Sequence, residues 1–148
     1  YARNVLGLKE ANTKEINLDS KHPVIITMAD QVDKIKNKDY GGSMRLGEYK
    51  ALLLDGSIAA NAYGKTEIVE RHRHRYEVNP EYIKQLEDAG LVFSGRSPDD
   101  VLMEIAELPK SEHPFFLGTQ FHPEFLAHPL NPHPLFSAFI KAAVDNRK

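Results

Sequence analysis

The sequence contains no cysteine. That absence excludes disulfides, Cys-ligated zinc, iron–sulfur clusters and a thiol nucleophile from these 148 residues. An excess of basic charge is also missing. Nineteen Lys plus Arg face 21 Asp plus Glu, a formal charge of -2, which excludes the basic surface of a general nucleic-acid binder. No apolar run approaches the length of a membrane span, and no charged-then-apolar signal segment opens the chain. Neither nucleic acid nor membrane is therefore an expected partner. Nothing fits G-x-S-x-G, a P-loop or G-x-G-x-x-G, so serine-hydrolase and nucleotide-loop chemistry lack their usual signatures. No repeats or low-complexity tracts occur.

What is present reads as one α/β domain. The length allows about 70% of the unfolded surface to be buried. Pro23–Thr27 is apolar and β-branched and predicts a buried strand. Asp30–Tyr40 is polar, with Lys34, Lys36 and Lys38 alternating before Gly41-Gly42, and predicts a solvated connection or flap. Met44–Leu54 resumes strand character, and Asp55-Gly56 turns it. Thr66–Val78 is a long extended candidate. Asn79-Pro80 supplies an N-cap and first-turn proline for a helix with Ile83 and Leu86 inward, closed by Gly90. Leu91–Phe93 and Val101–Leu108 predict paired strands around a polar turn at Gly95–Asp100. Phe115–Phe121 predicts another strand. A last helix starts near Pro134, with Leu135, Phe136, Phe139, Ile140, Ala143 and Val144 on one stripe. The opening Tyr1–Leu8 carries no cap and reads as the end of a helix that starts elsewhere.

Two clusters could carry chemistry. In Phe121-His122-Pro123-Glu124-Phe125, an extended backbone would put His122 and Glu124 on one side. The carboxylate could then fix the imidazole tautomer and leave the other ring nitrogen as a base. An isolated H-x-E is usually an incidental surface pair, but this one follows an apolar strand, where α/β sites gather. In Arg71-His72-Arg73-His74-Arg75-Tyr76, alternation predicts the arginines on one face and His72, His74 and Tyr76 on the other. Arginine suits a carboxylate through two parallel N–H donors, whereas the plain alternative is a basic, aggregation-resistant edge. A metal site is the rival for both clusters: His72 and His74 share a strand face, and His122, Glu124, His128 and His133 could complete a set. The histidines lie among prolines without helical ligand spacing, so no metal is expected.

Glu70–Asn79 (E-R-H-R-H-R-Y-E-V-N), Gly42–Gly47 (G-S-M-R-L-G), Gly95-Arg96-Ser97 with Asp99-Asp100, and Gln120–Phe125 (Q-F-H-P-E-F) closely resemble the glutaminase domain of the CTP synthases, within the class I glutamine amidotransferases. The resemblance runs from Tyr1 to the final helix. It implies a three-layer, flavodoxin-like α/β domain with a central, largely parallel sheet, of which residues 1–148 form the later portion. It implies a Cys–His–Glu triad in which His122 and Glu124 are base and orienter. Glu15 and Arg75 match glutamine-binding positions, for the α-ammonium and carboxylate respectively, and Arg45 matches a position associated with GTP activation. The cysteine elbow and the amidoligase domain are expected upstream. The intact enzyme so implied would be a cytoplasmic homotetramer of pyrimidine biosynthesis. It would hydrolyse L-glutamine and pass ammonia to an ATP- and Mg-dependent amination of UTP, with GTP as activator. A catalytically silent glutamine-binding or regulatory module is the alternative, and a His/Glu metal-binding protein is a more remote one.

Overall fold

A computed structural model describes residues 1–27 and 44–147. The expected flap with Lys34, Lys36 and Lys38, and the first residues of G-S-M-R-L-G, lie outside them. In chain order the elements are β1 (Ala11–Thr13), β2 (His22–Thr27), β3 (Arg45–Leu53), α1 (Ile58–Tyr63), β4 (Glu67–His74), β5 (Tyr76–Val78), α2 (Pro80–Asp88), β6 (Val92–Arg96), β7 (Met103–Glu107), β8 (Leu117–Thr119), a 3-10 turn (Pro123–Phe125) and α3 (Pro134–Asp145). No helix among the described residues is long and apolar enough to cross a membrane. The chain divides into two compact units, residues 1–46 with 73–89 and residues 47–72 with 90–148.

In the first unit, β2 lies between β1, parallel to it, and β5, antiparallel to it. Asn79 joins this sheet to α2. Its Oδ1 accepts from the Glu81 N–H at 3.1 Å, its Nδ2 donates to the Pro23 carbonyl at 2.9 Å, and its own N–H donates to the Val24 carbonyl. Pro80 then opens the helix with a preset φ and no wasted donor. Leu86 is buried as expected, but Tyr82 joins it on the inward face and Ile83 is only partly buried. Gly90 follows at φ +98°, a left-handed conformation that favours glycine. Tyr1–Leu8 corrects the expectation of a helix end. It is a run of turns with one helix-type bond, Val5 N–H to the Tyr1 carbonyl, and Gly7 at φ +71° turns the chain away.

In the second unit, five strands lie in the order β4-β3-β6-β7-β8. The β3–β6, β6–β7 and β7–β8 pairings are all antiparallel. This corrects the expected largely parallel sheet for this part of the chain. Strands β6, β7 and β8 follow one another along the chain and are joined without a crossover helix, so each runs opposite to the one before it. Gly95 belongs to β6 rather than to the turn, and a Cβ there would lie 2.7 Å from Ile105 Cγ1, so the two strands approach closely only because it has no side chain. The core comprises Ala51, Leu53, Ala59, Ala60, Ile68, Ile105, Phe121 and Leu135. The sequence reading missed α1, although its signals are plain: Ser57 caps it by accepting from the Ala60 N–H, and Gly64 ends it at φ +65°.

The last helix forms where expected, but its stripe does not face inward. Of the apolar residues in it, only Leu135 is buried; Phe136, Phe139, Ile140 and Val144 are exposed. The small side of the helix, Ala138 and Ala142, lines a cleft together with Ile58 and Ala62 of α1.

Candidate active site

Phe121 is 2% exposed and part of the core. It therefore anchors the residue that follows it. The His122 N–H donates to the Arg71 carbonyl of β4 at 2.9 Å, and the Gln120 N–H donates to the Glu104 carbonyl of β7 at 2.9 Å. Thr119 Oγ1 donates to the Phe121 carbonyl. Three backbone ties thus fix His122 just past the end of β8.

The chain does not stay extended there, as the sequence reading assumed. Pro123 starts a single 3-10 turn, closed by the Phe125 N–H donating to the His122 carbonyl at 3.0 Å. The turn nevertheless brings His122 and Glu124 together: Nδ1 lies 2.7 Å from Glu124 Oε1. The carboxylate accepts, so Nδ1 carries the proton and Nε2 is the basic nitrogen. Phe125 stacks on the imidazole, with centroids 4.8 Å apart and planes at 15°. The hydrogen bond from His122, reinforced by the backbone N–H of Glu124, holds the Glu124 carboxyl below the usual carboxylate range. The pair is open, with His122 38% and Glu124 57% exposed at the side chain.

The remaining singled-out residues fall elsewhere. In β4, Arg71 and Arg73 are exposed and His72 is buried, as alternation predicts. The alternation stops at Arg75, a half-buried bend residue between β4 and β5. His74 Nδ1 and the Tyr76 carbonyl, 3.0 Å apart, span this bend. Glu15 is exposed in a turn after β1, its N–H donating to Thr13 Oγ1 at 3.1 Å. Arg45 is 7% exposed at the first position of β3. Arg45, Glu15 and Arg75 all belong to the first unit.

Among the described residues, His122, Glu124, His128 and His133 form no group that could hold an ion, whereas His72 and His74 of β4 and Glu104 of β7 bring ligand atoms within 4.8 Å of one another. His128 pairs its backbone with Asn131. His133 caps α3, Nδ1 accepting from the Leu135 N–H at 3.3 Å, and its Nε2 lies 3.0 Å from Glu70 Oε1. Tyr63 also donates to that oxygen, at 2.8 Å. Burial, then the bond and charge of Glu70, push the Tyr63 hydroxyl far above the usual phenol range. The sequence reading assigned Glu70 and Tyr63 no such role. It likewise missed Glu107, whose carboxylate accepts from the Ile58 and Ala59 N–H groups and from Ser94 Oγ, capping α1 from across the unit. Charged residues inside otherwise apolar strand segments were the available signal, since a buried carboxylate needs partners.

Residues 20–142 match the family described as glutamine amidotransferase class-I. The chain belongs to the class I glutamine amidotransferases. Among its relatives, the CTP synthase of Saccharopolyspora erythraea is 57% identical over 147 residues, covering 99% of this chain and 26% of that protein. The CTP synthase of Leifsonia xyli subsp. xyli is 55% identical over 148 residues, covering the whole chain and 26% of the relative. The chain thus spans about a quarter of the length of these amidotransferases. Among solved structures, the glutaminase domain of Trypanosoma brucei CTPS with bound acivicin aligns with a TM-score of 0.86 and 37% identity. That alignment covers 99% of this chain and 55% of the other. The fold is accordingly that of a class I amidotransferase of mixed α/β content, with antiparallel pairing in its five-stranded sheet.

Proposed function

We propose that these residues are the base-bearing, glutamine-binding portion of a CTP synthase glutaminase. The observation that carries this reading is the His122 Nδ1–Glu124 Oε1 bond of 2.7 Å at the end of β8, in a chain whose relatives are CTP synthases. Glu124 holds the imidazole in the tautomer that leaves Nε2 able to take a proton. The proton would come from a cysteine thiol in a part of the protein outside these residues. The thiolate then attacks the glutamine carboxamide, His122 returns the proton to the departing ammonia, and water hydrolyses the thioester to glutamate. Arg75 is assigned to the substrate carboxylate and Glu15 to its α-ammonium, and the acivicin in the trypanosomal domain, a glutamine analogue, supports glutamine as ligand.

In the same reading, ammonia passes to an amidoligase domain of the same polypeptide for amination of UTP to CTP. ATP and Mg belong to that domain; no phosphate loop occurs in these 148 residues, and no step here runs through either. GTP activation through Arg45, tetramer assembly and a cytoplasmic location complete the proposal.

The test compares nitrogen sources in a full-length enzyme carrying this segment. His122→Ala should abolish glutamine-dependent CTP formation and spare synthesis from free ammonia. Arg75→Ala should raise the KM for glutamine, also sparing ammonia, and Lys should replace Arg75 poorly because it loses the two-pronged geometry. Equal loss with both nitrogen sources overturns these assignments. The 148 residues alone should release no glutamate above background, since His122 can only activate a nucleophile that is present. Turnover by them alone would sink the Cys–His–Glu reading. A silent glutamine-binding module would instead bind glutamine yet stay inactive in the full-length protein.

A further inference from the structure

His72 is buried in the middle of β4, 1% exposed, and the chemistry assigned to His122 makes no use of it. Its ring meets Phe121 edge-on at 5.9 Å and Tyr49 of β3 at 5.4 Å. Its Nδ1 lies 3.8 Å from Oε2 of Glu104, which is fully buried. Placing this polar pair beneath an apolar core is costly; leucine and valine would fill the volume without desolvation. Yet, Tyr49 apart, these contacts lead to the same short segment. Phe121 covers the His72 ring, the Glu104 carbonyl holds Gln120, and the carbonyl of Arg71, beside His72, holds His122.

We propose that His72, backed by Glu104, is a positioning residue: its ring is the platform on which Phe121 rests, and Phe121 sets the height and direction of the His122 imidazole. The proposal rests on the base assignment given to His122. An imidazole suits the place because one face edge packs on Phe121 while a ring nitrogen faces the Glu104 carboxylate. At 3.8 Å the two atoms are within ion-pair distance but beyond hydrogen-bond length, so the carboxylate backs the ring without clamping it. Phe121 is rigid in turn, and its carbonyl is pinned by Thr119. A platform of this kind changes the rate of proton transfer more than it changes how tightly substrate is held.

The experiment measures glutamine hydrolysis in a full-length enzyme carrying this segment, for His72→Ala, His72→Gln, Phe121→Leu and His122→Ala. Misplacing a reacting group by about 1 Å costs on the order of 100-fold in rate, so His72→Ala should lower kcat by tenfold to a hundredfold, with KM changed less than about twofold. His72→Gln keeps a planar group and a donor facing Glu104, and should recover most of the loss. Phe121→Leu keeps apolar volume without the ring contact, and should reproduce the kcat defect. If His72→Ala does not fold, the Gln and Leu variants decide the matter by the same split between kcat and KM. Full kcat in both His72→Ala and Phe121→Leu overturns the platform, as does a loss that falls on KM alone. Hydrolysis that survives His122→Ala overturns the base assignment itself. Loss in His122→Ala beside unchanged His72 and Phe121 variants overturns only the platform.

Discussion

His122 with Glu124 and His133 with Glu70 are made of the same two side chains, joined through a ring nitrogen at 2.7 and 3.0 Å. Their surroundings differ completely. The first pair is 38% and 57% exposed and leaves Nε2 without a partner among the described residues; the second is 2% and 4% exposed, and both imidazole nitrogens are used. His133 spends Nδ1 on the first turn of α3 and Nε2 on a carboxylate that also receives Tyr63. Saturated in this way, it joins α1, β4 and α3 and can do no chemistry. A histidine works as a base when one nitrogen is oriented and the other is spare.

The largest effect that separates the pairs is on rate. A positioned general base contributes roughly 10²–10⁴-fold, so His122→Ala in a full-length enzyme should cut glutamine hydrolysis by that factor. Its thermal midpoint should hardly move, because exposed substitutions usually change stability by less than about 0.5 kcal/mol. Steady-state kinetics beside calorimetry would show the two results together. A large loss of stability with intact hydrolysis would reverse the roles drawn for the two pairs.

His133→Ala should behave in the opposite sense. It removes a helix cap, worth about 1 kcal/mol, and leaves the Glu70 carboxylate buried without its imidazole, a loss of about 3–5 kcal/mol for broken buried pairs. Denaturant unfolding should therefore show a destabilisation of several kcal/mol, while hydrolysis per folded molecule stays within about twofold. A neutral effect on stability would mean that the pair carries little of the packing.

The residues differ in how plainly the sequence announced them. His122 and Glu124 were legible because both ligands of the hydrogen bond lie two positions apart, within a stretch that also carries the family resemblance. The mode of contact was not legible: a 3-10 turn, rather than an extended strand, makes it. Strand and helix positions followed from β-branched runs and from the Asn79-Pro80 and Pro134 starts. Direction of pairing did not, because local pattern carries no information on which strands become neighbours. The α3 stripe misled for a similar reason: periodicity shows that a helix has an apolar side, not which side the rest of this unit meets. His72–Glu104, His133–Glu70 and Glu107 each join segments far apart in sequence, and only the folded chain brings the partners together.

A smaller effect tests the orienting half of the exposed pair. Glu124→Gln keeps the shape but offers Nδ1 an amide in place of a carboxylate, so the ring is free to adopt the other tautomer and lose its basic Nε2. Hydrolysis should fall about tenfold or more, and less than in His122→Ala. Glu124→Asp, one methylene shorter, should fall between Gln and the unmodified protein. Should Gln match the unmodified rate, the carboxylate would be an incidental neighbour.

The smallest effect is on the pH dependence of stability. The Glu124 carboxyl is held below its ordinary value of 4.5 by the hydrogen bond from His122 and its own backbone N–H. A carboxyl lowered in the folded state binds fewer protons there than in the unfolded chain, so its contribution is present above about pH 4.5 and fades as pH falls through the folded value. Because the pair is open to solvent, that contribution should be less than about 1 kcal/mol. Urea midpoints of the unmodified protein and Glu124→Gln, followed from pH 7 to pH 3, should differ slightly at neutral pH and converge at the acid end. The His133→Ala deficit should remain much larger than this difference at neutral pH. Curves that stay parallel down to pH 3 would show that the exposed hydrogen bond contributes nothing to folding, leaving orientation of His122 as its whole role.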